Sequence, residues 1–285
     1  MFLNALEHLL RRKLLTVSLI VFAVFILLFW WGVASSAGTT ESNVHINSPS
    51  GGRQPVVSPE DKAWIAMATA GPMLATILVG LTIVMGASVL PDEIASGRLS
   101  LWASLPQSRL KLYVSTSLAP LALSTVLGWL FFFSSTFLIR AYFPFAPASF
   151  STALIAMPIW IAVTWAAVTT LSLIMGKIPA MLVTFILGGF SATMGSIVEL
   201  GKTIPEVGES GIYRVAGIVT LVFPIERGYR AILAGLLPTR STIDEFLALM
   251  GYSGNISTGE LLYPLVWSAL LFFLGYVAFR KKEIQ

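Results

Sequence analysis

Cysteine is absent from the 285 residues, and charge is scarce: 11% of the chain is Asp, Glu, Lys or Arg, against about 25% in soluble domains. Without cysteine there is no disulfide, thiolate nucleophile or thiolate metal site. Histidine is almost missing too. His8 and His45 both fall outside the long apolar runs, which excludes a buried Ser–His dyad for intramembrane proteolysis. No HExxH and no cluster of His, Asp and Glu at ligand spacing occurs, so no metal site is expected. Ionisable residues are also missing from the middle of the apolar runs, and Lys177 and Glu199 stand only at run ends. Proton-coupled carriers and voltage sensors hold such groups at mid-depth. A carrier or channel working without ATP is therefore disfavoured.

One phosphate-binding pattern comes close and fails. Gly201-Lys202-Thr203 ends like a P-loop, but the motif needs glycine where Ser196 stands, and it needs a preceding strand. The stretch follows an apolar run instead. No ATP site, and no other cofactor, is expected in this chain.

What is present is apolar length. The chain is 56% hydrophobic with mean hydropathy +0.83. Crossing about 30 Å of hydrocarbon takes roughly 20 apolar residues in a helix. Runs at about 14–36, 66–90, 112–139, 152–175, 180–198 and 261–279 meet this. The expected fold is an all-α, polytopic membrane protein with six transmembrane helices in one domain. The first run lacks a small-residue cleavage site and reads as a retained span, not a removed signal peptide. Pro72, Pro120, Pro158 and Pro264 fall within spans, where kinks are expected. Residues 1–13 read as an interfacial helix, with Phe2, Leu3, Leu6, Leu9 and Leu10 on one side and Arg11 and Arg12 near the headgroups. Residues 37–62 read as a loop. The segment 199–260 reads as short or re-entrant helices, because its apolar run at 215–223 is too short to span.

Orientation follows from Lys and Arg. Six spans put both termini on one side. With that side cytoplasmic, the inner segments hold Arg11, Arg12, Lys13, Arg98, Arg109, Lys111, Lys177, Arg280, Lys281 and Lys282 against Glu7, Asp92, Glu93 and Glu283. The short outer loops hold only Arg53, Lys62 and Arg140 as basic residues. Both termini are expected in the cytoplasm of a plasma-membrane protein. Local signals fit: Ser58-Pro59-Glu60-Asp61 and Ser257-Thr258-Gly259-Glu260 read as helix starts. Asn255-Ile256-Ser257 fits the glycosylation pattern on the outer side. Lipid is an expected partner, and nucleic acid is not.

Between the second and third runs lies DEIASGRLSLWASLPQSR, residues 92–109. At 100° per residue, Ile94, Ala95, Leu99, Leu101, Trp102 and Leu105 gather on one face. Glu93, Ser96, Gly97, Ser100 and Ser104 gather on the other, with Asp92 at the border and Arg98 alone on the apolar side. Pro106 marks the end, and Arg109 meets the next span. The polar face is small and weakly acidic, whereas helices that only rest on anionic lipid favour Lys and Arg there. That composition suits docking onto a protein.

These residues resemble the first intracellular segment of ABC-2 type permeases, the membrane subunits of ATP-binding-cassette exporters. Glu93, Gly97, Leu99, Leu101, Leu105, Pro106 and Arg109 carry the resemblance, and Arg98 departs from it. The amino-terminal basic helix, the six spans, the long outer segment and the basic end Arg280-Lys281-Lys282 extend it along the chain. FPIERGYR at 223–230 is similar to a pattern in the outer segment of some members. The resemblance implies a coupling helix at 92–106. Asp92, Glu93, Ser96, Gly97, Ser100, Ser104, Pro106 and Arg109 would contact a cytoplasmic ABC ATPase that binds ATP and Mg, and this chain would not itself be an enzyme. It also implies a second permease chain, as homodimer or heterodimer. Gly188, Gly189, Ala192 and Gly195 suit close helix contact, within one chain or at the seam between two. The alternative is a non-transporting scaffold that passes ATPase motion to an external partner.

Overall fold

The computed structural model describes residues 7, 13–38, 59–97, 108–143, 146–237 and 258–281. Every regular element among them is α-helical. In chain order they are α1 (Lys13–Gly38), α2 (Pro59–Ala95), α3 (Arg109–Tyr142), α4 (Phe150–Met175), α5 (Lys177–Thr203), α6 (Pro205–Gly208), α7 (Gly211–Val222), α8 (Ile225–Leu236) and α9 (Thr258–Lys281). Five of them, α2, α3, α4, α5 and α9, are long and apolar enough to cross a membrane, and α1 contributes a shorter apolar stretch, Leu19–Ser35. The architecture is that of a multi-pass membrane protein.

Local chemistry sets the boundaries. Ser108, Ser149 and Ser210 each accept a bond from the backbone N–H three residues on, capping α3, α4 and α7. Gly176, at φ 88°, turns the chain between α4 and α5. Pro72, Pro120, Pro158 and Pro264 lie inside helices as expected, and so does Pro91. The expected helix starts at Ser58 and Ser257, the interfacial helix before Lys13, most of loop 37–62 and the Asn255 pattern lie outside the described residues.

The bundle is sorted for hydrocarbon, not water. Phe137, Trp31, Ile178 and Ile186 are exposed, while Ser117, Ser124, Ser135, Thr164, Thr169 and Thr184 are buried. Several hydroxyls return to the carbonyl one turn back, as Thr82 does to Leu78 at 2.8 Å and Ser135 to Phe131 at 2.9 Å. Helix α4 is central. It is rich in Ala and Thr, is buried around its circumference over 160–170, and packs against α2, α3, α5, α8 and α9. Small residues permit that crowding, because backbones can approach closely. Cross-helix bonds join the same group: Trp165 Nε1 donates to the Ser117 carbonyl at 2.7 Å, Thr170 to the Leu271 carbonyl at 2.8 Å, and Tyr113 Oη to the Phe272 carbonyl at 3.0 Å.

One end of the bundle gathers the end of α2, the starts of α3 and α5, and the end of α9, through contacts of Asp92 with Lys177 and Arg109 with Arg280. This is the basic end. At the opposite end Trp30 of α1 donates to Tyr142 of α3 at 2.6 Å.

From that opposite end, α7 and α8 form a helical hairpin that runs back along the bundle. Tyr213 lies against Gly201 near the end of α5, while Phe223 lies near Gly188, halfway along it. Helix α7 thus runs down α5, and Pro224 reverses the chain. Helix α8 then climbs α4: Gly228 abuts Trp160, and Gly235 abuts Ala153. A Cβ at Gly228 would stand 2.8 Å from the Trp160 Cα, so only glycine allows this approach. The expected short helices after residue 199 are therefore present at 205–208, 211–222 and 225–236, and α5 continues past 198 to include Glu199 and Lys202. Residues 238–257 lie outside the described residues.

Candidate functional site at the basic end and at the hairpin tip

The segment expected as a helix over 92–106 does not begin at Asp92. Asp92 and Glu93 belong to the last turn of α2, which continues through Pro91 to Ala95. The Ser96 N–H returns to the Asp92 carbonyl at 3.0 Å, and Gly97 takes φ 69°. A right-handed helix cannot pass through that angle, so α2 stops there with glycine after its end. Ser100, Ser104 and Pro106 lie outside the described residues.

Both stems of this segment are tied across the bundle. Lys177 Nζ stands 3.4 Å from Asp92 Oδ2, joining the end of α2 to the start of α5. Arg109 Nη1 donates to the Arg280 carbonyl at 3.0 Å, joining the start of α3 to the last turn of α9. That carbonyl is one of the four that a helix end leaves without an internal partner. The charges are also placed against the helix dipoles. Two acids close α2 where its dipole end is negative, with no base in that turn, and Arg109 opens α3 where it is positive. Each such placement costs about 0.3–1 kcal/mol. Lys177 offsets that cost at Asp92, and the Arg280 carbonyl offsets it at Arg109. Ser96 is exposed beside them.

A second feature lies halfway through the bundle. A cavity of about 430 Å³ opens between α2, α4, α5 and the tip of α8, lined by Pro72, Thr76, Trp160, Phe185, Thr193, Glu226 and Tyr229 among others. Gly188, Gly189 and Ala192 also line it. Gly195 packs against the Glu226 side chain, where a Cβ would collide, and Gly188 faces Phe223 and Ile225 at 3.9 Å. Gly188 and Gly195 thus serve packing within one chain. Gly189 and Ala192 are exposed.

A buried acid stands outside the apolar runs, at the tip of the hairpin. Glu226 is 8% exposed and sits at the hairpin tip. The charges of Arg230 and Glu199 both act on it. One turn along α8, Arg230 pairs with Glu199 through Nη1 and approaches Glu260 at 3.8 Å. Lys202 joins Glu199 at 2.7 Å. Hydropathy does not single out Glu226, because the segment 199–260 mixes polar and apolar residues. A helical wheel exposes it: Ile225, Tyr229, Ile232, Leu233 and Leu236 form the buried stripe of α8, and Glu226 lies within it.

No protein-family model matches the chain, and no curated protein is significantly similar to it.

Proposed function

We propose that the chain is the permease subunit of an ATP-driven exporter of the ABC-2 type, with six spans and the basic end in the cytoplasm of the plasma membrane. A separate cytoplasmic ABC ATPase binds ATP and Mg and seats on segment 92–109, and a second permease chain completes the pathway. The observation that carries this reading is the double tie at the basic end. Asp92 meets Lys177 and Arg109 meets Arg280, so a push on the segment reaches α2, α3, α5 and α9 together. Central α4 links these helices along their length. The resemblance at Glu93, Gly97, Pro106 and Arg109 supports the same reading, and the basic end holds Arg109, Lys111, Lys177, Arg280 and Lys281 as the positive-inside rule requires. The mid-bundle cavity favours transport over a scaffold that only relays motion.

The test is purification of the chain from its native membranes. An ABC ATPase should co-purify, and Glu93→Arg should release it while the permease stays folded. Co-purification undiminished by Glu93→Arg and Asp92→Arg together would contradict the contact.

A further inference from the structure

The cavity at the hairpin tip has the size of a small-molecule site, about 300–1,000 Å³, and its walls are mainly apolar. One of its polar groups lacks the partner that burial normally demands. The indole N–H of Trp160, a residue 2% exposed, has no hydrogen-bond partner among the described residues. Glu226, 8% exposed, lines the same cavity, and the cation that acts on it, Arg230, also pairs with Glu199 and approaches Glu260. Arg227, its neighbour in sequence, is turned onto the ring of Tyr263 at 4.8 Å.

A single carboxylate in an apolar chamber is too poor in oxygen for Ca²⁺, which takes six to eight oxygen ligands, and for Mg²⁺, which keeps several waters. Anions are repelled by Glu226 and Glu199. A molecule with one diffuse positive charge on an apolar body meets every wall: charge to the carboxylate, apolar surface to the rings, and cation to ring faces. Entry is sideways, because Phe185 is 54% exposed and Gly189 and Ala192 beside it are exposed.

We propose that this cavity binds hydrophobic organic monocations, with Glu226 meeting the cationic centre and Trp160, Phe185 and Tyr229 enclosing the apolar body. This names a cargo class for the exporter and rests on that reading only for the direction of movement.

The experiment uses the purified full chain in lipid nanodiscs, without any ATPase, and measures displaceable binding of radiolabelled tetraphenylphosphonium. Tetraphenylborate, the same shape with opposite charge, is the control. The cation should bind saturably and the anion should not. Glu226→Gln should weaken cation binding by at least about ten-fold, as loss of a buried charge partner does, and Glu226→Asp should weaken it less. Gly189→Phe fills the chamber from a position where a Cβ meets nothing within 4 Å, and it should abolish binding in a folded chain. Equal binding of anion and cation, unchanged affinity in both Glu226→Gln and Gly189→Phe, or no saturable cation binding would overturn the proposal. Since no ATPase is present, such a failure leaves the coupling reading to its own test.

Discussion

Arg230 on α8 and Glu199 on α5 form an ion pair that is almost wholly buried, with the two side chains 11% and 3% exposed. It pins the hairpin to a long apolar helix. Lys202, on the same carboxylate, is 50% exposed. The two cations therefore differ in consequence. Arg230→Met should destabilise the fold by up to about 3–5 kcal/mol, because it leaves a buried carboxylate to the half-exposed Lys202 alone. Lys202→Met should cost less than about 1 kcal/mol, as exposed pairs do. Denaturation in mixed micelles, followed by circular dichroism, checks both; similar costs for the two would count against a buried pin.

The fit between Gly195 and Glu226 gives a second contrast. Gly195→Ala forces a methyl group into the Glu226 side chain and should cost about 1–3 kcal/mol, the usual penalty for overpacking. Gly189→Ala enters open space and should be close to neutral or slightly stabilising. Trimming Glu226 to Ala in the Gly195→Ala background should recover part of the loss. Unfolding midpoints of the four chains decide it.

At the basic end, Gly97 closes α2 at φ 69°. A side chain there costs about 1–2 kcal/mol, less for Asn, which tolerates the left-handed region. Gly97→Ala should therefore loosen the stem between Ala95 and the following segment, and Gly97→Asn should largely preserve it. Protease sensitivity of the 92–109 segment in membranes would rank them: parent, then Asn, then Ala.

The long apolar helices were legible because hydropathy follows composition residue by residue, and five are long enough to cross a membrane. Runs such as 152–175 match α4 within two residues. The serine caps at 108, 149 and 210 are equally local, although only the geometry identifies them. The segment 92–106 reads as one clean amphipathic wheel, yet a wheel carries no information about φ, and Gly97 breaks it. The hairpin was the least legible part. Its path depends on contacts between residues far apart in sequence, Gly228 with Trp160 and Gly235 with Ala153. Glu226 was overlooked for the same reason. Its depth is set by α5, not by its neighbours in the chain.

The salt bridge between Asp92 and Lys177 offers a direct probe of transmission. In vesicles with the partner ATPase, Asp92→Lys should lower permease-dependent ATP hydrolysis several-fold while changing the unfolding midpoint little, since exposed pairs are worth less than about 1 kcal/mol. Adding Lys177→Asp should restore hydrolysis. A swap that restores nothing would assign Asp92 to the ATPase contact and not to the tie.

The central claim is that segment 92–109 touches an ABC ATPase. The chain contains no cysteine, so a single introduced thiol reports from one place only. Ser96→Cys, exposed at the basic end, should cross-link to the ATPase in native membranes, with a yield that changes when ATP is bound. Ile212→Cys, 52% exposed at the start of α7, should not. An ATPase cross-link from Ile212→Cys, or none from Ser96→Cys while the complex still co-purifies, would contradict the account.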